Sequence, residues 1–364
     1  MVGGLEVYVP AMAMIGLQFH YAVLAIFTRA ALLHGMNTRV FVVYRQAIAT
    51  LAMAPFALSC KRRPSLRTSL GLKSLSLMFA TSLIGVTANQ NAYFEGLHLS
   101  SSTVTTAMSN LIPAVTFVLA TIFGLEKIDV RSLRSIAKIT GTVLCVGGAI
   151  TMALLKGQKL LHLRFLLSKQ TFGLHGDNWL LGCGFLLASS IFWAFWMIMQ
   201  VPVSASCPDH VVSTFWMCLM AAIQSAIFTL VVEKDSQAWI LNSALEYSSC
   251  LYAGIGIAVS FFIQSWTISK RGPLFCAMFN PLCTVITAMV SATFLHEDLY
   301  VGSLIGGLAV ISGLYIVLWG KAKEVEGVKE EAQLKTDQND QISCKTDLEE
   351  ALLSPHVSES KITH

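Results

Sequence analysis

Two pairs of asparagine and proline stand at matching places in two apolar stretches of the sequence. Asn110 precedes Pro113 in the first stretch, and Asn280 precedes Pro281 in the second. A proline in an apolar helix removes one backbone donor and frees the carbonyl one turn back, and an asparagine adds an amide that donates and accepts hydrogen bonds. Such groups could hold a small polar solute in an apolar environment, and a plain helix kink is the alternative interpretation.

Further polar and aromatic side chains lie inside apolar stretches, where an unsatisfied polar group is costly. Besides the two asparagine–proline pairs, the candidates for solute binding are Gln18, His20, Tyr21, Gln90, Asn91, Tyr93, Trp193, Trp196, Gln264 and Trp266. The amides could bind a zwitterion or a carboxylate while the aromatic rings cover its apolar part. Hydrogen bonds that only hold helices together are the competing interpretation.

Three charged residues, Arg29, Arg45 and Glu95, lie toward one end of the first three apolar stretches. An arginine there can snorkel to the membrane surface, pair with Glu95, or attract anions at the mouth of a pathway, a role that suits the deeper Arg45 best. No Asp or Glu falls in the middle of an apolar stretch, which argues against a carboxylate proton relay. His20 is therefore the candidate if a proton is coupled, and an uncoupled facilitator is the alternative.

Ten apolar segments must position these residues. They span approximately residues 10–33, 38–59, 74–97, 101–124, 135–155, 179–201, 211–232, 249–268, 274–295 and 301–319. Each is close to the roughly 20 residues that cross about 30 Å of hydrocarbon. The chain is 54% hydrophobic and has a mean hydropathy of +0.64. Because lipid offers no hydrogen bonds to a backbone, the segments predict ten transmembrane helices and an all-α integral membrane protein.

The ten segments form two related sets of five. Ala107-Met108-Ser109-Asn110 corresponds to Ala277-Met278-Phe279-Asn280, and the glycine pair Gly141 and Gly148 corresponds to Gly306 and Gly313. Because five is an odd number, the second set enters the membrane from the opposite side, which makes the two sets inverted repeats. Inverted repeats place a binding site near the midplane where the halves meet, and they suit transport by alternating access.

We therefore expect a first five-helix repeat at 10–155, a linking loop at 156–178 and a second repeat at 179–320. The highly charged segment 321–364 predicts a disordered cytoplasmic tail. The balance of Lys and Arg between loops favours both termini in the cytoplasm, although the loop at 156–178 places basic residues on the disfavoured side.

Two further motifs carry a family resemblance. They are Asn89-Gln90-Asn91-Ala92-Tyr93-Phe94-Glu95-Gly96-Leu97 and Ser269-Lys270-Arg271-Gly272-Pro273. With the two repeats, they resemble the plant nodulin-like, walls-are-thin-related (UMAMIT) branch of the drug/metabolite transporter superfamily, over residues 10–320. The resemblance implies two EamA-type repeats and transport of amino acids or, in some members, auxin and related small organic acids. It also implies the plasma membrane, while an imperfect acidic dileucine at 349–353 keeps the vacuolar membrane as the alternative.

Other function classes lack their sequence signals. The nine cysteines contain no CxxC pair, and the sequence has no HExxH, no GxxxxGK[ST] and no basic patch with interleaved aromatics. We therefore expect no enzyme activity, no metal, no cofactor and no nucleic-acid partner. The expected partners are a small-molecule substrate and the lipid bilayer, and homodimer formation is left open. A membrane sensor or receptor without transport is the second alternative.

Overall fold

The computed structural model describes residues 2–61, 71–100, 102–126, 132–154, 179–241, 243–294, 302 and 305–323. The linking loop at 156–178 and almost all of the tail predicted at 321–364 lie outside these ranges. The helices are α1 (Val2–Leu33), α2 (Thr38–Lys61), α3 (Leu72–Ser82), α4 (Asn89–Leu99), α5 (Ser102–Ser109), α6 (Ile112–Ile122), α7 (Leu133–Leu154), α8 (Trp179–Ser206), α9 (His210–Val232), α10 (Ala244–Arg271), α11 (Pro273–Ala277), α12 (Asn280–Phe294) and α13 (Ile305–Lys323).

Among the described residues, nine helical segments are long and apolar enough to cross a membrane, and α3 with α4 forms a tenth helical segment between α2 and α5, which confirms the prediction of an all-α multi-pass membrane protein. Seven crossings are single helices, and three are composite: α3 with α4, α5 with α6, and α11 with α12. In the third crossing a π-helical segment (Leu83–Ala88) joins α3 to α4, and the residues at both joints keep right-handed helical dihedrals. Large aliphatic side chains such as Leu51, Leu180 and Val231 are exposed on the outside of the bundle, as a lipid-facing surface requires.

The contacts between the two halves are reciprocal. The second crossing of each half packs against its counterpart, α2 against α9. The first crossing of each half packs against the third crossing of the other, α1 on α10 and α8 on α4, and against the fourth crossing of the other, α1 on α12 and α8 on α6. This exchange of roles is the pattern that a two-fold relation between five-helix halves produces.

Helices α7 and α13, the fifth and tenth crossings, show the inversion directly. A Cβ atom on Gly141 would lie 2.8 Å from the carbonyl oxygen of Gly313, and one on Gly148 would lie 2.8 Å from that of Gly306. The later residue of α7 thus meets the earlier residue of α13, so these two corresponding helices are antiparallel. The glycines allow this crossing because any side chain there would clash with backbone.

Two corresponding crossings are interrupted at matching places. Helix α5 ends at Ser109 and α6 begins at Ile112, while α11 ends at Ala277 and α12 begins at Asn280. Pro113 and Pro281 lie immediately after the two interruptions and cannot donate the backbone hydrogen bonds that would continue the preceding helices. Around these breaks, the largest apolar cluster of the bundle gathers side chains from both halves.

Candidate functional site

The two interruptions meet through side chains. Asn110 is 2% exposed, and its Oδ1 accepts a 3.0 Å hydrogen bond from Oγ1 of Thr284 on α12. Its Nδ2 is buried and has no partner among the described residues. Asn280 is half-buried at the start of α12, and Pro113 and Pro281 are buried beside the two breaks. Asn110 therefore links the two halves and still has two N–H donors to offer.

A second polar contact joins α1 to α10. Nε2 of Gln264 donates to the hydroxyl of Tyr21 at 2.7 Å, and Oε1 of Gln264 is buried without a partner in the described part of the chain. Gln18 lies one turn before Tyr21, is fully buried, and has neither amide atom bonded within the described ranges. Both glutamines thus offer unused acceptors, and Gln18 also offers donors.

Arg45 lies inside the bundle rather than at its mouth. The residue is 6% exposed, and its guanidinium carbon stands 5.4 Å from the ring centroid of Phe41. It is within electrostatic range of Tyr21 and Tyr93. Its Nε and Nη2 atoms are buried and make no hydrogen bond to any described residue. The helix packing places Arg45 in the interior, and its role in attracting an anion stays a prediction.

His20 faces the groove between α1 and α10, although its ring lies 5.8 Å from that of Tyr21. Its Nδ1 is 3.0 Å from the hydroxyl of Tyr252, and its ring lies against Gly256 of α10. It lines a groove of about 660 Å³ whose other walls include Leu251 and Val259. Leu251 and Val259 are both exposed on the outside of the bundle. The groove therefore opens toward lipid rather than toward Gln18 and Tyr21.

The aromatic candidates divide between two places. Trp193 and Trp196 stack at 5.1 Å with an interplanar angle of 10°, and Trp196 also contacts Phe261 of α10 at 5.0 Å. Trp196 is fully buried, and its indole N–H is unpartnered among the residues described. Tyr93 packs edge-on against Phe94 at 5.3 Å, and Trp266 is half-buried near the end of α10.

Gln90 and Asn91 use their amides close to their own helix. Nδ2 of Asn91 donates to the carbonyl of Thr87 at 2.7 Å, and Nε2 of Gln90 donates to Oδ1 of Asn89 at 3.3 Å. Asn89, which sequence reasoning did not single out, donates to the backbone and side-chain oxygens of Ser189 on α8 at 2.7 and 3.0 Å. It is a structural link between the halves, next to the π-helical segment.

Ion pairs lie at both ends of the bundle. Glu95 pairs with Arg39 at 3.3 Å, rather than with Arg45, and Arg39 also lies 3.9 Å from Glu233 after α9. The side chain of Arg29 lies outside the described part of the structure. At the other end, Glu126 pairs with Lys138 at 3.0 Å and with Lys321 at the end of α13.

Sequence reasoning also missed Gln46, Thr284 and Arg39. Gln46 is fully buried, with both amide atoms unbonded in the described ranges. The sequence could have indicated Gln46, because Arg45 and Gln46 are adjacent polar residues inside an apolar segment. Within the described residues, no group of three or more His, Cys, Asp or Glu side chains could hold a metal ion.

Taken together, a helical membrane bundle whose two inverted halves meet around polar groups without partners in the described part of the chain defines a transporter of small molecules. The EamA-like transporter family matches residues 10–154 and 180–319, and the chain belongs to that family. A WAT1-related protein of Arabidopsis thaliana is 49% identical, covering 97% of this chain and 99% of its own length. The Arabidopsis thaliana protein WALLS ARE THIN 1 is 38% identical, covering 86% of this chain and 83% of its own length.

A solved crystal structure shares the fold. It superposes with a TM-score of 0.63 at 14% identity, covering 85% of this chain and 96% of that chain. The family match and the Arabidopsis thaliana relatives confirm the resemblance that the sequence motifs carry.

Proposed function

We propose that the protein is a secondary transporter or facilitator that moves small organic metabolites by alternating access. Amino acids are the first candidate substrates. The observation that carries this proposal is the set of buried amide atoms on Asn110, Gln18 and Gln264 that have no partner among the described residues; Asn110 and Gln264 also bond to the other half. A buried polar atom without a partner costs about 1–3 kcal/mol. A polar solute that completes these hydrogen bonds would recover that cost only when it is bound.

The chemistry of these groups suits a zwitterion. The unpaired Nδ2 of Asn110 and the guanidinium of Arg45 are donors for a carboxylate, and the unpaired oxygens of Gln18 and Gln264 are acceptors for an ammonium group. The stacked pair of Trp193 and Trp196 offers an apolar surface for a side chain.

Auxin or another small organic acid is the second candidate. The stacked tryptophans and the indole N–H of Trp196 also favour a flat aromatic acid. The carboxylate of such a substrate would accept hydrogen bonds from Asn110 and Arg45, and water would bind the oxygens of Gln18 and Gln264.

We assign the two moving halves to residues 10–155 and 179–320. The ion pair of Arg39 with Glu233 and that of Glu126 with Lys321 each join one half to the other, at opposite ends of the bundle. A rocking motion would open one pair while the other stays closed, which is how alternating access exposes a central site to one side at a time. We place the protein in the plasma membrane with both termini in the cytoplasm.

The test is efflux from oocytes preloaded with a panel of labelled amino acids and with indole-3-acetic acid, at two external pH values. We expect efflux of one chemical class, and we expect Asn110→Ala and Gln264→Leu to reduce it at least tenfold at equal surface expression. Thr140→Val is the matched control, because Thr140 is exposed on α7 and its hydroxyl donates to carbonyl groups of its own helix.

Two results would contradict the proposal. The first is no flux of any compound from protein that reaches the surface, which would favour a sensor without transport. The second is flux that Asn110→Ala and Gln264→Leu leave as intact as Thr140→Val does, which would move the substrate site away from the contacts between the halves.

A further inference from the structure

We propose that Arg45 binds the carboxylate of the transported substrate through both N–H groups of one guanidinium edge, so that an ionised carboxylate is required. This inference rests on the proposed function and names the substrate class and its anchoring residue.

The first step is the absence of a partner for the charge. A buried cation in a membrane protein is costly unless it is paired, and such residues usually face an interior pathway. Among the described residues, no ion pair joins a carboxylate to Arg45, whose guanidinium lies over the ring of Phe41 and within electrostatic range of Tyr21, Tyr93 and Cys250. The charge therefore lacks the anion that would offset its burial.

The described acids at this end of the bundle are engaged elsewhere. Glu246 accepts a hydrogen bond from the backbone N–H of Ser243 at 3.4 Å, in the capping box of α10. Glu95 and Glu233 both pair with Arg39, which precedes Arg45 by six residues, or about 9 Å along the helix axis. Arg39 satisfies the acids at the end of the bundle, and Arg45 is left to an anion that is not part of the described chain.

The second step is the geometry of the unused donors. The two unpartnered nitrogens are Nε and Nη2, whose N–H bonds point the same way from one edge of the planar guanidinium. That spacing matches the two oxygens of a carboxylate, and such bidentate pairs are the strongest and most directional of the charge-assisted hydrogen bonds. A lysine would keep the charge but lose this fork.

The third step is the position between the halves. The carbonyl of Arg45 lies against Gly254 of α10, and Tyr21, which is within electrostatic range of Arg45, accepts a hydrogen bond from Gln264 on the same helix. Tyr21 and Tyr93 are also within electrostatic range of Cys283 on α12. The backbone of α2 at Arg45 therefore packs against α10 of the other half, and the hydroxyls of Tyr21 and Tyr93 lie within electrostatic range of the guanidinium.

The experiment measures ligand-induced thermal stabilisation of the purified full-length protein and does not depend on flux. The ligands are phenylalanine, indole-3-acetic acid and acetate, each beside its carboxamide counterpart, and chloride as a simple anion. We expect at least one carboxylate to raise the melting temperature of the wild type and its carboxamide to have no effect. Arg45→Met should weaken the apparent affinity for that carboxylate about 100-fold, and Arg45→Lys should weaken it less.

Two comparisons separate a binding role from a structural one. Without ligand, Arg45→Met should melt at or above the wild-type temperature, because a buried unpaired charge is replaced by an apolar side chain. The control Thr140→Val, which removes a hydroxyl that donates within its own helix, should keep the carboxylate response.

The proposal is overturned if no carboxylate stabilises the wild type, if carboxamides or chloride do so equally, or if Arg45→Met keeps the carboxylate response. If Arg45→Met fails to fold, the proposal is tested by two other measurements. These are the carboxylate response of Arg45→Lys and the difference between each acid and its carboxamide in the wild type. Carboxylate binding that depends on Arg45, without flux in oocytes, would contradict the transport function and keep this site. Flux that is unchanged in Arg45→Met and that does not require a carboxylate on the substrate would support the transport function and contradict this site.

Discussion

The side chains of Asn110 and Thr284 are joined by a 3.0 Å hydrogen bond between residues that stand 174 apart in the sequence. The bond runs from the break between α5 and α6 to the first turns of α12, so it connects the two interrupted crossings of the bundle. Broken helices at corresponding positions are where inverted-repeat transporters place their substrates. The bond also fixes the amide of Asn110 so that its Nδ2 remains available.

Removing this bond should impair transport without unfolding the protein. Thr284→Val deletes only the hydroxyl donor and leaves Oδ1 of Asn110 unbonded, so we expect a severalfold lower transport rate. Asn110→Ala also removes the free Nδ2 and should lower the rate further. The double variant should be no worse than Asn110→Ala alone, because the shared bond is already lost. Initial rates at equal surface expression test this, and additive effects of the two substitutions would contradict the proposed bond.

The crossing of α7 with α13 should tolerate an added methyl group at one glycine and not at its neighbour. A Cβ on Gly148 would lie 2.8 Å from the carbonyl oxygen of Gly306, whereas a Cβ on Gly147 would meet nothing within 4 Å. Gly148→Ala should therefore destabilise the protein by about 1–3 kcal/mol. Gly147→Ala should be neutral or slightly stabilising, because alanine favours helix. Melting temperatures in detergent compare the two, and equal effects would argue against this crossing.

The ion pairs at the two ends of the bundle should differ in their contribution to stability. Glu126 and Lys138 are almost fully buried, with side chains 2% and 1% exposed, so Glu126→Gln breaks a buried ion pair. We expect a loss of about 3–5 kcal/mol. Arg39 and Glu95 are 33% and 42% exposed, so Glu95→Gln should cost no more than about 1 kcal/mol. Thermal unfolding of both variants is the measurement, and a larger effect at Glu95 would reverse this ranking.

Proton coupling should not depend on His20. The imidazole lies in the groove between α1 and α10, bonded to Tyr252 and away from the contact of Tyr21 with Gln264. His20→Gln should therefore leave the pH dependence of transport unchanged, and Tyr252→Phe, which removes the partner of His20, should behave in the same way. Transport rates between pH 5 and 8 test this. A pH profile that flattens in His20→Gln alone would establish His20 as the coupling group.

Much of the fold could be predicted because the membrane constrains each segment separately. An apolar run of sufficient length must satisfy its own backbone hydrogen bonds, so it forms a helix whatever its neighbours are. The breaks near Asn110 and Asn280 were foreseen for an equally local reason, since a proline cannot donate to the preceding turn. The glycines of α7 and α13 marked a close crossing because they lack the side chains that hold helices apart.

The candidate site was predicted less completely, because its residues depend on how each helix is rotated. His20 and Tyr21 are adjacent in sequence but point about 100° apart on a helix, and the structure turns one toward the lipid-facing groove and the other toward Gln264. Gln90 and Asn91 sit in an apolar run like the other candidates, yet they bond to their own helix. Composition cannot separate these cases, since it does not record which face meets a neighbour.

By itself, therefore, the sequence determined a ten-crossing transporter with two related halves, its interrupted crossings and its family, all of which follow from local backbone chemistry and from internal repetition. Only the tertiary structure decided that Arg45 lies in the interior with no ion-pair partner among the described residues, that Arg39 pairs with Glu95, and that Thr284 reaches Asn110. The physical reason is that these contacts join residues from different helices, and their partners are set by the packing and rotation of the whole bundle.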